Sequence, residues 1–235
     1  PFKLLDFQKI DITRPLLGWK REDGTRRYRK AYISMGKKNG KSALCGALTL
    51  DGLLWDGEVS PLACLAGFDR QQAGEIYRDC VRMVKVNPEL RKHIRLLESQ
   101  KKMFYERENG EIRTMSRESE GAEGWKISRL IFDEFHTQKT REMWDTVCYA
   151  GLSRQQSLLI MITTSGFDRT SICWEQYQYA KGVGKGEIKD WAFFTKVYEA
   201  DEHDDWKDEK VWLKANPGLG TILSWDDMRA DSREA

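Results

Sequence analysis

Two short stretches of this chain carry residue types that could handle a nucleotide phosphate. The first is "KKNGKS", residues 37–42. Gly40, Lys41 and Ser42 match the end of the phosphate-binding pattern G-x-x-x-x-G-K-[ST], while Met35 takes the place of the first glycine and Gly36 follows it. The chemistry needs backbone N–H groups converging on an anion, with a positive charge beyond them. Gly36, Lys38, Asn39 and Gly40 would supply the loop. Lys41 would reach the outer phosphates of a nucleotide such as ATP, and Ser42 would hold Mg²⁺. The second stretch is "LIFDEF", in which Asp133 lies 92 residues after Lys41. Asp133 is placed to share the Mg²⁺ with Ser42, and Glu134 to polarise a water for attack on the γ-phosphate. Paired acids are common on solvated surfaces, but Leu130, Ile131 and Phe132 before them and Phe135 after them argue for the end of a buried strand. A third stretch, "TTSG", puts the hydroxyls of Thr163, Thr164 and Ser165 after an apolar run, where they could sense a γ-phosphate.

These groups are useful only if strands and helices bring them together. Strands are predicted over 29–34, 61–67, 128–136, 157–166 and 190–200, and helices over 42–54, 69–87, 141–150 and 171–182. Asp69 with Gln72 forms a variant capping box, and Asn87-Pro88 closes that helix. Residues 94–115 read as a strand-like hairpin turning at "ENGE". Residues 1–27 read as irregular, the seven acids and two lysines of 199–210 as a solvated loop or helix start, and 212–220 as a break before a final helix. Alternating strands and helices predict an α/β fold with a mostly parallel sheet, which binds ligands at the carboxyl ends of its strands. The hairpin and the acidic tail are expected as attachments. Three motifs in this order describe a RecA-like P-loop NTPase of the additional-strand, catalytic-glutamate class, expected as a core over 1–198 and a small C-terminal lid over 199–235.

The totals are compatible with this. The 235 residues are 40% hydrophobic and 32% charged, with a net charge of +2. No apolar run reaches the roughly 20 residues of a membrane span, and no secretory pattern opens the sequence. Five scattered cysteines and three distant histidines lack zinc spacing, and the cysteines read as buried small hydrophobes.

The motifs together resemble the large terminase subunit of tailed double-stranded DNA bacteriophages, in its ATPase portion. Its loop has the form R-K-N-G-K-S, matched by "KKNGKS"; "FDEFH" (132–136), "TTSG" (163–166), "GFDRQQAGEIYRDC" (67–80), "LLDFQ" (4–8) and "WLKANPGLG" (212–220) are similar to further family segments. The resemblance implies an ATP-hydrolysing motor that drives double-stranded viral DNA into a procapsid. It would act as a homo-oligomeric ring on the portal protein, with a small terminase subunit as partner. The place would be the host bacterial cytoplasm and, transiently, the procapsid portal. It makes Gln8 the adenine reader and gives Lys37 the place of a family arginine, keeping the charge but losing the bidentate grip. The arginine finger expected near Glu123-Gly124 is missing; Arg117 and Arg129 are the available substitutes. The sequence stops before the family's nuclease, so no DNA cleavage is expected. Lys20, Arg21, Arg26, Arg27, Arg29 and Lys30 could line a DNA channel or form a solvated face. A superfamily-two helicase would share the D-E-x-H form of "DEFH" but needs a second RecA-like domain. A nucleotide-binding scaffold without hydrolysis would not need Glu134.

Overall fold

The structure, a computed structural model, describes residues 2–67, 70–116, 124–138, 140–166 and 168–234. Its strands are β1 (Lys30–Ser34), β2 (Leu62–Ala66), β3 (Ile94–Leu97), β4 (Lys102–Tyr105), β5 (Gly110–Met115), β6 (Arg129–Phe132), β7 (Leu158–Thr163) and β8 (Phe193–Val197). They form one eight-stranded sheet in the order β3-β4-β5-β2-β6-β7-β1-β8. Every pairing from β5 to β8 is parallel, and only those of β4 are antiparallel. β7 lies between β1 and β6, which is the additional-strand arrangement.

The uninterrupted apolar character of these strands has a simple cause. Parallel strands are covered on both faces, so both sets of alternating side chains must be apolar. Ala31, Ile33, Ile131, Ile160 and Ile162 face one core; Tyr32, Leu130, Phe132, Leu159 and Met161 face the other. The first core is covered by the helices α2 (Lys41–Leu54) and α3 (Arg70–Val86), whose Leu44, Leu48, Ile76 and Cys80 are buried. The second is covered by α5 (Glu142–Val147) and α6 (Ile172–Gly184), which contribute Trp144, Val147, Ile172 and Cys173. All five cysteines are buried and free, as their reading as small hydrophobes requires.

Three expectations are corrected. Residues 6–18 are helical rather than irregular: a π-helical stretch, Gln8–Thr13, runs into α1 (Arg14–Gly18). Pro15 lies in the first turn of α1. The 94–115 region is a meander inside the main sheet, because β5 pairs with β2 in parallel; its turn falls at Glu106–Asn109, two residues before the expected "ENGE" of 108–111. It is preceded by a short α4 (Pro88–His93), capped by the Asn87 side chain. The break at 212–220 contains α7 (Glu209–Ala215), started by the Asp208 cap in the acidic run and ended at Asn216. The last helix, α8 (Trp225–Glu234), is present as expected. The Asp69–Gln72 cap involves Asp69, which lies outside the described residues.

Candidate functional site

Because β1, β7 and β6 are parallel neighbours, their carboxyl ends lie side by side; Ser34 pairs with Thr163, and Phe132 with Met161. The loop after β1 therefore faces the turn after β6. That loop needs two left-handed residues, Lys38 (φ 62°) and Gly40 (φ 75°), before α2 begins. A Cβ on Gly40 would lie 3.0 Å from Gln8 Nε2, so the loop also needs glycine there for closeness. Lys41 Nζ donates to Gly36 O at 3.1 Å, folding its ammonium back over the loop.

Lys37, Lys38, Gly40, Lys41, Ser42 and Glu134 line one cavity of about 350 Å³, together with Ala43 and Ile222. Asp133 lies immediately before Glu134 and is 4% exposed. Burial and the neighbouring Glu134 push its carboxyl up to about 6. Glu134 moves the other way. Burial would raise it, but hydrogen bonding from His136, the charge of Lys41 and a hydrogen bond from Thr164 together hold it below the usual carboxylate range. Its backbone is left-handed (φ 44°), and its N–H donates to Asp133 Oδ1 at 2.9 Å. A non-glycine residue in this region is a strained conformation of the kind that clusters at functional sites. Burial lowers the pKa of Lys41, against the pull of Glu134 and Asp133.

The remaining expected residues sit around this cavity at different distances. Gln8 is buried and donates through Nε2 to Gly40 O at 3.3 Å. Thr164 Oγ1 donates to Glu134 Oε2 at 3.4 Å. Thr163 contacts His136, whose Nδ1 lies 2.9 Å from Thr163 Oγ1. Ser165 is exposed and lines a different cavity, with Ser34, Trp174 and Tyr177.

Sequence reading missed two contributors. Asn39 is fully buried, but it binds the chain beyond α7. Its Nδ2 donates to Asn216 Oδ1 at 3.0 Å, its Oδ1 accepts from Gly218 N at 2.8 Å, and Gly36 N donates to Ala215 O at 2.9 Å. Ile222, just beyond, reaches the cavity. "ANPG" read as a break and as a family-like segment, but nothing local said what it touches.

Two basic assignments change. Arg129 cannot be a finger: it is fully buried at the amino end of β6, bonded to Asp56 at 2.8 Å and Asp51 at 3.1 Å. Arg117 and Glu123 lie outside the described residues, and Gly124 offers no charge. Among the proposed channel residues, Arg26 is buried and paired with Asp56. Arg27 stacks on Trp19, Tyr28 and Trp191. Arg29 donates to the carbonyls of Arg154 and Gln155, and Lys30 covers Trp144 and Tyr149. Lys20 and Arg21 are exposed. Lys30 begins β1, at the sheet end opposite the cavity.

Sheet order, loop and acid pair define a RecA-like P-loop fold with an additional strand. Comparison with known proteins narrows this. The family profile "Terminase large subunit, ATPase domain" matches residues 6–182, and this chain belongs to that family. A second profile, "Terminase large subunit, endonuclease domain", matches residues 187–235. The large terminase subunit of Enterobacteria phage HK97 is 29% identical over 210 residues, 87% of this chain and 40% of that protein. Its crystal structure superimposes with a TM-score of 0.86 at 26% identity, covering 100% of this chain and 47% of the other. The large terminase of the thermophilic phage D6E, solved with ATP-γ-S, has a TM-score of 0.58 at 10% identity, covering 94% of this chain and 48% of the other. At that identity the likeness concerns the fold. The chain thus spans less than half the length of these relatives.

Proposed function

We propose that this chain binds ATP with Mg²⁺ in the cavity between the β1–α2 loop and the turn after β6, and hydrolyses it to ADP and phosphate. The observation that carries the reading is that Lys41 and Glu134, far apart in sequence, line the same cavity. In this reading the Gly36–Gly40 loop cradles the phosphates, Lys41 meets the outer ones, and Lys37 adds charge from the cavity rim. Gln8 reads adenine beside Gly40. Glu134, held ionised, orients and deprotonates the attacking water. Thr163, Thr164 and, from its separate position, Ser165 respond to the γ-phosphate.

The residues present fit Mg²⁺. Asp133 is a buried carboxylate with a raised pKa, a group that a divalent cation would stabilise. Together with the Ser42 hydroxyl it offers the hard oxygen donors that Mg²⁺ shares with phosphates and water. Among the described residues no group of three or more His, Cys, Asp and Glu forms an all-protein cage, and none is needed when phosphates complete the sphere. When bound, the cation would neutralise charge developing on the β- and γ-phosphates.

The family to which the chain belongs supports the larger reading. The hydrolysis would move double-stranded viral DNA into a procapsid, in a homo-oligomeric ring at the portal protein and with the small terminase subunit, in the host cytoplasm. Among the described residues no helix is long and apolar enough to cross a membrane. We place the core–lid division after Tyr198, whose N–H still bonds to Ser34 O at 2.8 Å. Residues 199–235 then form the lid. The endonuclease profile over 187–235 makes DNA cleavage a question for direct assay. The test of the ATPase reading is phosphate release with and without Mg²⁺, repeated at high protein concentration. Glu134→Gln is expected to keep ATP binding and lose turnover; unchanged turnover would remove Glu134 from this role.

A further inference from the structure

His136 lies three residues beyond Asp133 in the same turn, and the phosphate cavity does not need it. Its Nδ1 faces three oxygens: Thr163 Oγ1 at 2.9 Å, Glu134 Oε2 at 3.2 Å and Thr164 Oγ1 at 3.4 Å. The protons around it can be assigned. The Thr163 hydroxyl donates to Thr164 O at 2.8 Å, and its oxygen accepts the His136 backbone N–H at 3.1 Å. The Thr164 hydroxyl donates to Glu134 Oε2 at 3.4 Å. An ionised carboxylate only accepts hydrogen bonds, so a favourable contact from Nδ1 requires the hydrogen to be on Nδ1. The imidazole is then neutral with Nε2 bare, or fully protonated. The packing is equally specific: a Cβ on Gly166 would lie 3.0 Å from His136 Cβ, so the glycine of "TTSG" leaves the room that the histidine occupies.

We infer that His136 is a positioning residue. Its Nδ1–H is shared between Thr163 Oγ1, the nearer acceptor at 2.9 Å, and Glu134 Oε2 at 3.2 Å, and so ties that carboxylate to the end of β7, leaving Oε1 to orient the attacking water. The inference rests on the proposed ATPase reading and deepens it. Any movement of the β7 end is thereby felt at the catalytic carboxylate, because a side chain bonded to two elements cannot follow both when they separate.

Three variants and one spectrum test this. His136→Phe keeps the ring volume and loses the donor, and should lower kcat by about 100-fold, the scale expected when a reacting group is misplaced by about 1 Å. Its ATP affinity should stay at the parent value. His136→Asn presents an amide donor near the Nδ1 position and should recover most of the loss. His136→Gln presents it near Nε2 and should not. In the ¹⁵N imidazole spectrum of the parent chain, His136 should carry hydrogen on Nδ1. A parent-like kcat in His136→Phe, or a neutral Nε2–H tautomer at His136, overturns the inference while leaving the ATPase reading intact. A parent chain that binds no ATP fails the ATPase reading itself, and the role of His136 with it.

Discussion

Two adjacent carboxylates, Asp133 and Glu134, are driven apart in acidity by their surroundings: one to about 6, the other below its usual range. Such divergence is how neighbouring acids come to hold different roles. For Asp133 it has a consequence for stability. Its ordinary value is 3.8, so between that pH and about 6 the folded chain keeps a proton that the unfolded chain has lost. Its contribution to stability is therefore full below the lower value, declines through this window, and is gone above the upper one. Asp133→Asn keeps an acceptor for the Glu134 N–H and never ionises. In EDTA at pH 7.5 it should raise stability by about 3 kcal/mol, the order of a shift of this size, with the benefit shrinking as pH falls toward 4. Denaturant midpoints at both pH values check this; a variant less stable than the parent at pH 7.5 would refute it. Lys41, Ser42, Asp133 and Glu134 were legible in the sequence because each belongs to a motif whose flanks fix its position. Asn216 and Ile222 were not, because their value lies wholly in a contact with the distant loop around Gly36–Gly40.

The strands β1, β2, β6 and β7 were readable from their apolar runs, since a doubly covered parallel strand has no polar face to confuse the pattern. The meander β3-β4-β5 was seen as strands but misplaced, because local alternation does not say that β5 pairs with β2 in parallel. Long-range pairing also governs the other end of the sheet. Arg26 and Arg129 are buried together around Asp56, with Asp51 beside them. Burial and the nearby Arg129 push Arg26 down to about 10, against the pull of Asp56 and Asp51. Asp56→Asn should destabilise the fold by about 3–5 kcal/mol, because it leaves two buried guanidinium groups short of a counter-charge. A loss under about 1 kcal/mol in urea unfolding would show that water or rearrangement compensates. The clamp at Asn39 makes a separate prediction. Asn39→Ala removes the acceptor of Gly218 N and the donor to Asn216, so limited proteolysis should cut faster within 215–222 while the sheet core stays resistant. Unchanged cleavage there would mean that the Gly36–Ala215 bond and the packing of Ile222 suffice.

For the whole molecule, the fold class was legible from the order of the motifs, and the family from the residues within them. The division into pieces is a separate matter. The two family profiles meet between residues 182 and 187, yet β8 (Phe193–Val197) is the outermost strand of the ATPase sheet, paired along β1. The segment after it returns to the β1–α2 loop through Asn216 and Gly218. The cavity lined by Lys41, Glu134 and Ile222 is thus built from both sides of the profile boundary, and the proposed chemistry depends on distant parts of the chain meeting. The most direct measurement is a set of ATP titrations by calorimetry on the parent, Lys41→Ala and Asp133→Asn chains, each with Mg²⁺ and with EDTA. The account predicts that Lys41→Ala weakens binding in both conditions, whereas Asp133→Asn weakens it only with Mg²⁺. Parent-like Mg²⁺–ATP affinity in either variant would contradict it.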